Sequence, residues 1–303
     1  MMQRKNIFQI PITDYSFKKI FATEKNKHFL IAFLNSAVSA YTGEIADITY
    51  LPTEKYGSAL EEKRVVFDIA CKDTNDKEFI IEMQRAQQPD FVDRSLVYLG
   101  RSLSASLTKG ERRYRVMPTY SVNLLDFELA EYRATGECFR AIFFKDQKNR
   151  LLTPKIGIFY FNLCNFAAQQ EDVSGELRQW LYLLKNMQNL DEDDYLEQCG
   201  IFRDLLDECR ISKMSKMENE TYKKSVLEYE DVQEAVAYAK ELAAKEAFEQ
   251  GIEQGIEQGK AAGIEQGKTE MIKTMLRNGL DIATIVHATG LPEVQILELT
   301  KNI

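Results

Sequence analysis

A chain of 303 residues with 45% hydrophobic content can bury one sizeable core plus a smaller helical unit. Its formal net charge of -8 argues against coating nucleic acid by bulk electrostatics, because phosphate neutralisation supplies much of such affinity. Five cysteines without close pairing speak against a disulfide framework or a CxxC zinc site, and two histidines leave little for a Ser-His-Asp arrangement or a histidine-rich metal site. No segment approaches the roughly 20 apolar residues of a membrane span, and Met1 to Asn6 lack the apolar run of a signal peptide, so a cytoplasmic protein is expected.

The first helix is predicted around Phe17, Ile20 and Phe21, with Asp14 placed before them to cap its N-terminus. Lys18 and Lys19 on its first turns read as solvated. His28, beside Phe29 and Leu30 in a helical segment, reads as structural, and Cys71, Cys138, Cys164, Cys199 and Cys209 read as small core residues.

Val65 to Cys71 and Phe79 to Gln84 then read as two strands, with turn residues from Asp73 to Lys77 between them. Alternation puts Phe67, Ile69 and Cys71 on one face of the first strand and Phe79, Ile81 and Met83 on one face of the second. For these sets to share a side of the sheet, the turn must contain an odd number of residues, three or five. Asp68, Glu82 and Gln84 then share the other side, and Asp68 faces Glu82 or Gln84 at about 5 Å. Two carboxylates so placed suit a hard cation, Mg²⁺ or alternatively Mn²⁺ or Ca²⁺, and a water on that cation becomes a nucleophile. Gln84 can orient such a water but brings no positive charge. The plainer alternative is the solvated face of an antiparallel sheet.

From Phe91 to Thr108, Phe91, Leu96, Leu99, Leu103 and Leu107 form an apolar helical stripe, and Gly110 supplies a stop. Arg94, Tyr98 and Arg101 line another stripe. There they either meet phosphate beside the carboxylates or form a solvated face paired with Asp90 or Asp93.

Tyr120–Leu125, Cys138–Phe144 and Ile156–Leu163 read as further strands of a mixed sheet, the last two joined by the polar turn Lys145–Arg150. After about residue 170 the pattern is helical. Leu177, Trp180, Leu181 and Leu184 form one stripe, with Trp180 in the core, and Tyr195, Leu196, Phe202, Leu205 and Leu206 form another. Gly251-Ile252-Glu253-Gln254 opens a segment with glycine at every fourth position to Gly267. Each mid-helix glycine costs about 1 kcal/mol relative to alanine, so the segment is either an arm packed on another helix or a frayed linker. Two short helices around Thr289-Gly290-Leu291-Pro292 have helix-turn-helix spacing. Glu293 and Glu298 make the second a poor groove reader, so a small packing module is expected.

Taken together, Asp14-Tyr15-Ser16-Phe17-Lys18-Lys19-Ile20-Phe21, Val66-Phe67-Asp68-Ile69, Ile81-Glu82-Met83-Gln84-Arg85, then Arg94, Tyr98 and Lys109-Gly110-Glu111, with the Gly-Ile-Glu-Gln repeats, resemble the PD-(D/E)XK nuclease family transposases, also called Rpn-type recombination-promoting nucleases. The resemblance implies an α/β fold: a restriction-endonuclease-like mixed β-sheet core flanked by helices, followed by an all-α C-terminal extension. It implies a core over 1–170, a helical region over 171–249, the repeat arm over 250–270 and a helical module over 271–303. Asp68, Glu82 and the Met83 backbone carbonyl would hold the metal, Gln84 would stand where many relatives have lysine, and Asp14 is a candidate further carboxylate. The implied reaction is metal-dependent endonucleolytic hydrolysis of DNA. Lys109, Arg112, Arg113 and Arg115 are candidate DNA-backbone contacts, and the helical arm is a candidate homo-oligomer contact. The alternative is a non-catalytic interaction or regulatory protein that retains the fold.

Overall fold

The computed structural model describes residues 6–55, 65–88, 90–106, 115–129, 135–166 and 175–300. Leu107, Lys109, Gly110, Glu111, Arg112 and Arg113 lie outside the described residues, and Arg115 is exposed just after them.

Helix α1 (Asp14–Phe21) is capped by Thr13, whose hydroxyl accepts from the Ser16 N–H, so the capping role expected of Asp14 belongs to its neighbour. Asp14, as the first helical residue, pairs instead with Lys18 at 2.8 Å. Helix α2 (Lys27–Thr42) follows. His28 is exposed on it and has no part in the core.

Five strands and a short edge strand build one sheet. They are β1 (Ile48–Tyr50), β4 (Ile69–Asp73), β5 (Glu78–Gln84), β6 (Thr119–Leu125), β7 (Phe139–Phe143) and β8 (Ile156–Asn162), in the spatial order β1-β4-β5-β6-β8-β7. The central pairs β5/β6 and β6/β8 are parallel and the outer pairs antiparallel, giving the expected mixed sheet. The pair β2 (Glu54–Lys55) and β3 (Val65–Val66) forms a separate ribbon.

The hairpin turn has three residues, Thr74 to Asp76, closed by the Asp73 N–H bond to the Lys77 carbonyl. Asp76 takes a positive φ of 58°, which a short polar residue tolerates, and the Asp73 carboxylate accepts from the Asn75 and Lys77 amides. The odd turn sets the expected parity.

Helices cover both sides of the sheet. On one side α1, α2, α4 (Gly175–Asn186) and α6 (Gly200–Glu208) pack against Ile69, Cys71, Phe79, Ile81, Val122, Leu124, Phe159 and Phe161. On the other side α3 (Phe91–Ala105) lays Phe91 and Leu99 over Leu125, Ile158 and Tyr160. Leu96, assigned to the apolar stripe from spacing, is 47% exposed, and Ser95 and Ser102 are buried in its place because the helix is rotated to bring small residues onto the sheet. Cys71, Cys138 and Cys209 are buried as expected, whereas Cys164 and Cys199 are exposed.

The expected stripe from Tyr195 to Leu206 breaks into α5 (Glu192–Glu197) and α6. Asp191 and Asp194 form a capping box on α5, and the chain turns at Gln198 and Cys199, leaving Leu196 exposed. Among the described residues no helix is long and apolar enough to cross a membrane.

Contacts divide the chain into Met1–Ala235 and Val236–Ile303. Helix α7 (Lys216–Arg277) runs 62 residues and belongs to both. Its first five turns pack on the sheet unit, where the Ile10 N–H donates to the Tyr222 hydroxyl at 3.0 Å and the Tyr15 N–H to Ser225 Oγ at 3.0 Å. In the second unit Ile272 of α7 packs against Ile285 of α8 (Ile282–Thr289) and Ile296 of α9 (Glu293–Thr300), so the two short helices share a small core with the end of α7. The glycine-rich segment is helical throughout, and a methyl group added at Gly251, Gly255, Gly259, Gly263 or Gly267 would meet open space.

The sole tryptophan, Trp180, is fully buried against Phe21, Phe33 and Phe202, with ring centroids 5.3 to 5.9 Å away. Phe33 also meets Phe21 and Phe161 and has no exposed surface. Phe33→Ala therefore opens a cavity that the surrounding rings close only partly, and should cost about 3–5 kcal/mol. Denaturant unfolding followed by Trp180 emission measures this as a lower midpoint at unchanged slope.

Candidate active site

The strand expected over Val65 to Cys71 is interrupted. Phe67 and Asp68 belong to no strand, and the Phe67 N–H leaves the sheet to bond the Thr53 carbonyl at 2.8 Å. The break reverses Phe67. It joins Ala70 and Ile80 on the α3 side, its ring meeting Tyr98 edge-on at 5.2 Å, instead of sharing a face with Ile69 and Cys71.

Beyond the break the register pairs Ile69 with Ile81, so Asp68 arrives opposite Glu82. The Asp68 N–H donates to Glu82 Oε1 at 3.3 Å, and Asp68 Oδ2 accepts from the Met83 N–H at 2.8 Å. The Asp68 carboxylate thus takes an amide that a continued ladder would give to backbone. Gln84 Nε2 donates to Glu82 Oε2 at 2.8 Å, and Arg94 Nη2 donates to Gln84 Oε1 at 2.7 Å. Arg94 Nη1 donates to Gln88 Oε1.

These groups line a cavity of about 290 Å³ that also includes Val66, Arg85, Tyr98 and Val232. Asp68 opens on its other flank into a cavity of about 770 Å³ lined by Asp14, Lys18, Lys19, Lys224, Ser225 and Glu228 among others. Asp14 and Asp68 thus share one cavity. Arg94 and Tyr98 reach the smaller one. Arg101 is not part of its lining.

Glu82 is 5% exposed. Burial, and after it the neighbouring Asp68 charge, pushes the Glu82 carboxyl up to about 8, against the Asp68 N–H, Arg94 and the Gln84 amide, which favour the ionised form. Asp68 is also raised, chiefly by burial, although the Met83 N–H, Lys18 and Arg85 favour its charge. The Tyr98 hydroxyl is raised by burial and then by Glu82.

Two facing, desolvated carboxylates are a donor set that a divalent cation satisfies. Among the described residues no group of three or more His, Cys, Asp and Glu side chains converges, so protein carboxylates would supply two ligands and leave the rest to water or substrate oxygen. That division fits Mg²⁺, which typically takes one or two carboxylates and keeps several waters.

Several residues of the cavity carry no local sequence signal. Arg85 follows the Glu82-Met83-Gln84 strand, and its Nη1 is buried with no hydrogen-bond partner among the described residues. Gln88 fixes Arg94 from a loop. Helix α7 contributes Glu218, Thr221, Ser225, Glu228 and Val232, spaced three or four apart, and Tyr229 and Gln233 donate to Asp126 Oδ2 at 3.0 and 3.1 Å. The mixed polarity of that stripe hides it from a hydrophobicity pattern.

The raised Glu82 pKa has a definite sign in stability. The folded metal-free protein holds this proton between the ordinary value of 4.5 and about 8, where the unfolded chain has released it. Stability therefore falls as pH rises through that window and the penalty is complete above it. Calorimetry in EDTA should show a fall in Tm from pH 5 to pH 8 that is smaller in Glu82→Gln; equal slopes would refute the assignment.

A comparison with family profiles matches residues 11–239 to PD-(D/E)XK nuclease family transposase. No curated protein matches the chain, and no solved structure does. The match includes the sheet, the Asp68/Glu82 pair, α3 and the part of α7 that lines the cavities, and the chain belongs to the PD-(D/E)XK nuclease family transposases.

Proposed function

We propose that this protein is a divalent-metal-dependent DNA endonuclease that hydrolyses phosphodiester bonds. The observation that carries the reading is the desolvated Asp68/Glu82 pair, directly opposed and interlocked by backbone amides in the lining of a cavity. Family membership supplies the nuclease class, and this pair supplies the chemistry within it.

Asp68 and Glu82 would hold Mg²⁺, or Mn²⁺ or Ca²⁺, with the Met83 backbone carbonyl as a further oxygen. When bound, such an ion acts as a Lewis acid toward the phosphoryl group and makes its water more acidic. The Met83 N–H fixes the Asp68 carboxylate, so that side chain needs little reordering as substrate binds. Gln84 lies beside Glu82, where its amide can orient an attacking water. The buried Nη1 of Arg85, which has no hydrogen-bond partner among the described residues, is a donor suited to a phosphoryl oxygen, and Tyr98 borders the same cavity. On the other flank Lys224 offers a cation to a DNA backbone, while Lys18 is paired with Asp14 and Lys19 lies between Glu208 and Glu218, and Asp14 is near enough to Asp68 to modulate its charge. No covalent protein intermediate is required.

The test is nicking of supercoiled plasmid by the full chain with Mg²⁺, Mn²⁺ or Ca²⁺. Asp68→Ala and Glu82→Ala should each lower the rate by roughly 10²-fold or more while circular dichroism stays native. A folded native protein that cleaves nothing would leave the non-catalytic interaction reading.

A further inference from the structure

Gln84 has two ends of nearly equal shape, and its chemistry depends on which one faces Glu82. With the NH₂ end toward Glu82 it is a donor. With the oxygen end there it becomes a potential cation ligand. Glu82 by itself does not hold this choice firmly, because a cation on its carboxylate would attract the amide oxygen in place of the N–H groups.

Arg94 settles the choice from the other side. A guanidinium has only donors, so the end of Gln84 that meets Arg94 Nη2 at 2.7 Å must be the oxygen. Arg94 is itself fixed. Its Nη1 donates to Gln88 Oε1, and its Cζ lies 5.6 Å from the Phe91 ring and 5.8 Å from the Tyr98 ring. Both terminal nitrogens are thus engaged by neutral side-chain carbonyls, and the guanidinium charge also favours the ionised form of Glu82 beyond Gln84.

We infer that Arg94 is a positioning residue that locks Gln84 as a hydrogen-bond donor at the carboxylate pair, keeps its oxygen away from the cation, and acts on the reaction through Gln84 instead of by touching the substrate. The inference rests on the nuclease reading for its kinetic consequence, but the orientation of Gln84 is independent of it.

The experiment has two arms. In the first, ¹H–¹⁵N spectra of the full chain are recorded with Mg²⁺, with the Gln84 side-chain amide pair assigned by its loss in Gln84→Met. Arg94→Met should move that pair to the position of a solvent-exposed glutamine amide. An unchanged pair overturns the proposal.

The second arm is a double-mutant cycle in plasmid nicking. Arg94→Met should lower kcat by roughly 10- to 100-fold with KM unchanged, the range seen when partners that orient metal ligands are removed. In a Gln84→Met background the same change should cost less than about threefold, because the residue through which it acts is gone. Additive losses, or a rise in KM alone, would mean that Arg94 contacts substrate and would overturn the proposal. If the native protein cleaves nothing but the Arg94-dependent amide signal is present, the nuclease reading fails and the positioning of Gln84 stands.

Discussion

The site depends on keeping two carboxylates face to face away from water. Desolvating one carboxylate is costly, and desolvating a second beside it adds repulsion, so the pair persists only because the fold holds it. Asp68 is held by the Met83 amide and Glu82 by the Asp68 amide and the Gln84 side chain, while Arg94 and Arg85 place positive charge nearby. Behind them, Ile81 and Met83 of the same strand are anchored in the aromatic and aliphatic core, so the strand cannot relax to separate the charges. The electrostatic cost appears in the proton on Glu82, whose carboxyl is pushed up to about 8 by burial and then by the Asp68 charge.

The strand break at Phe67 and Asp68 is what makes the arrangement possible. A regular strand would present Asp68 as one side chain in an alternating row. Here the backbone leaves the ladder for two residues, Phe67 crosses to the α3 side, and the Asp68 carboxylate fills the vacated hydrogen-bonding position. Irregularities of this kind concentrate at functional sites because they re-aim a side chain at modest cost. The Phe67–Tyr98 contact ties the break to α3, the helix that also carries Arg94, so carboxylates and cations are set by one packing arrangement.

Helix α7 joins the site from far along the chain. Its first turns line both cavities around Asp68, and Tyr229 and Gln233 share one oxygen of Asp126, the residue that follows β6. The half-buried Asp126 carboxyl is raised mainly by desolvation, and these two donors offset part of that cost. The same helix continues into the glycine-rich stretch, where isoleucines such as Ile252 and Ile256 are exposed. Within the sheet unit its contribution is to bound the space beside Asp68.

Much of the centre was legible in the sequence because strand alternation and turn parity are local rules. An odd, three-residue turn sets the register that brings Asp68 opposite Glu82, although the alternation itself stops at the break, and the strands at 119–125, 139–143 and 156–162 follow from short apolar runs between polar turns. The spacing of Arg94 and Tyr98 likewise placed them together on one helix face. Tertiary structure decided the rest. It decided that Phe67 turns toward α3, that Thr13 and not Asp14 caps the first helix, that Leu96 faces water, and that α7 lines the site. Those outcomes depend on which surfaces meet across long stretches of chain, and no local periodicity encodes the rotation of a helix about its axis or the partner that a buried amide finds.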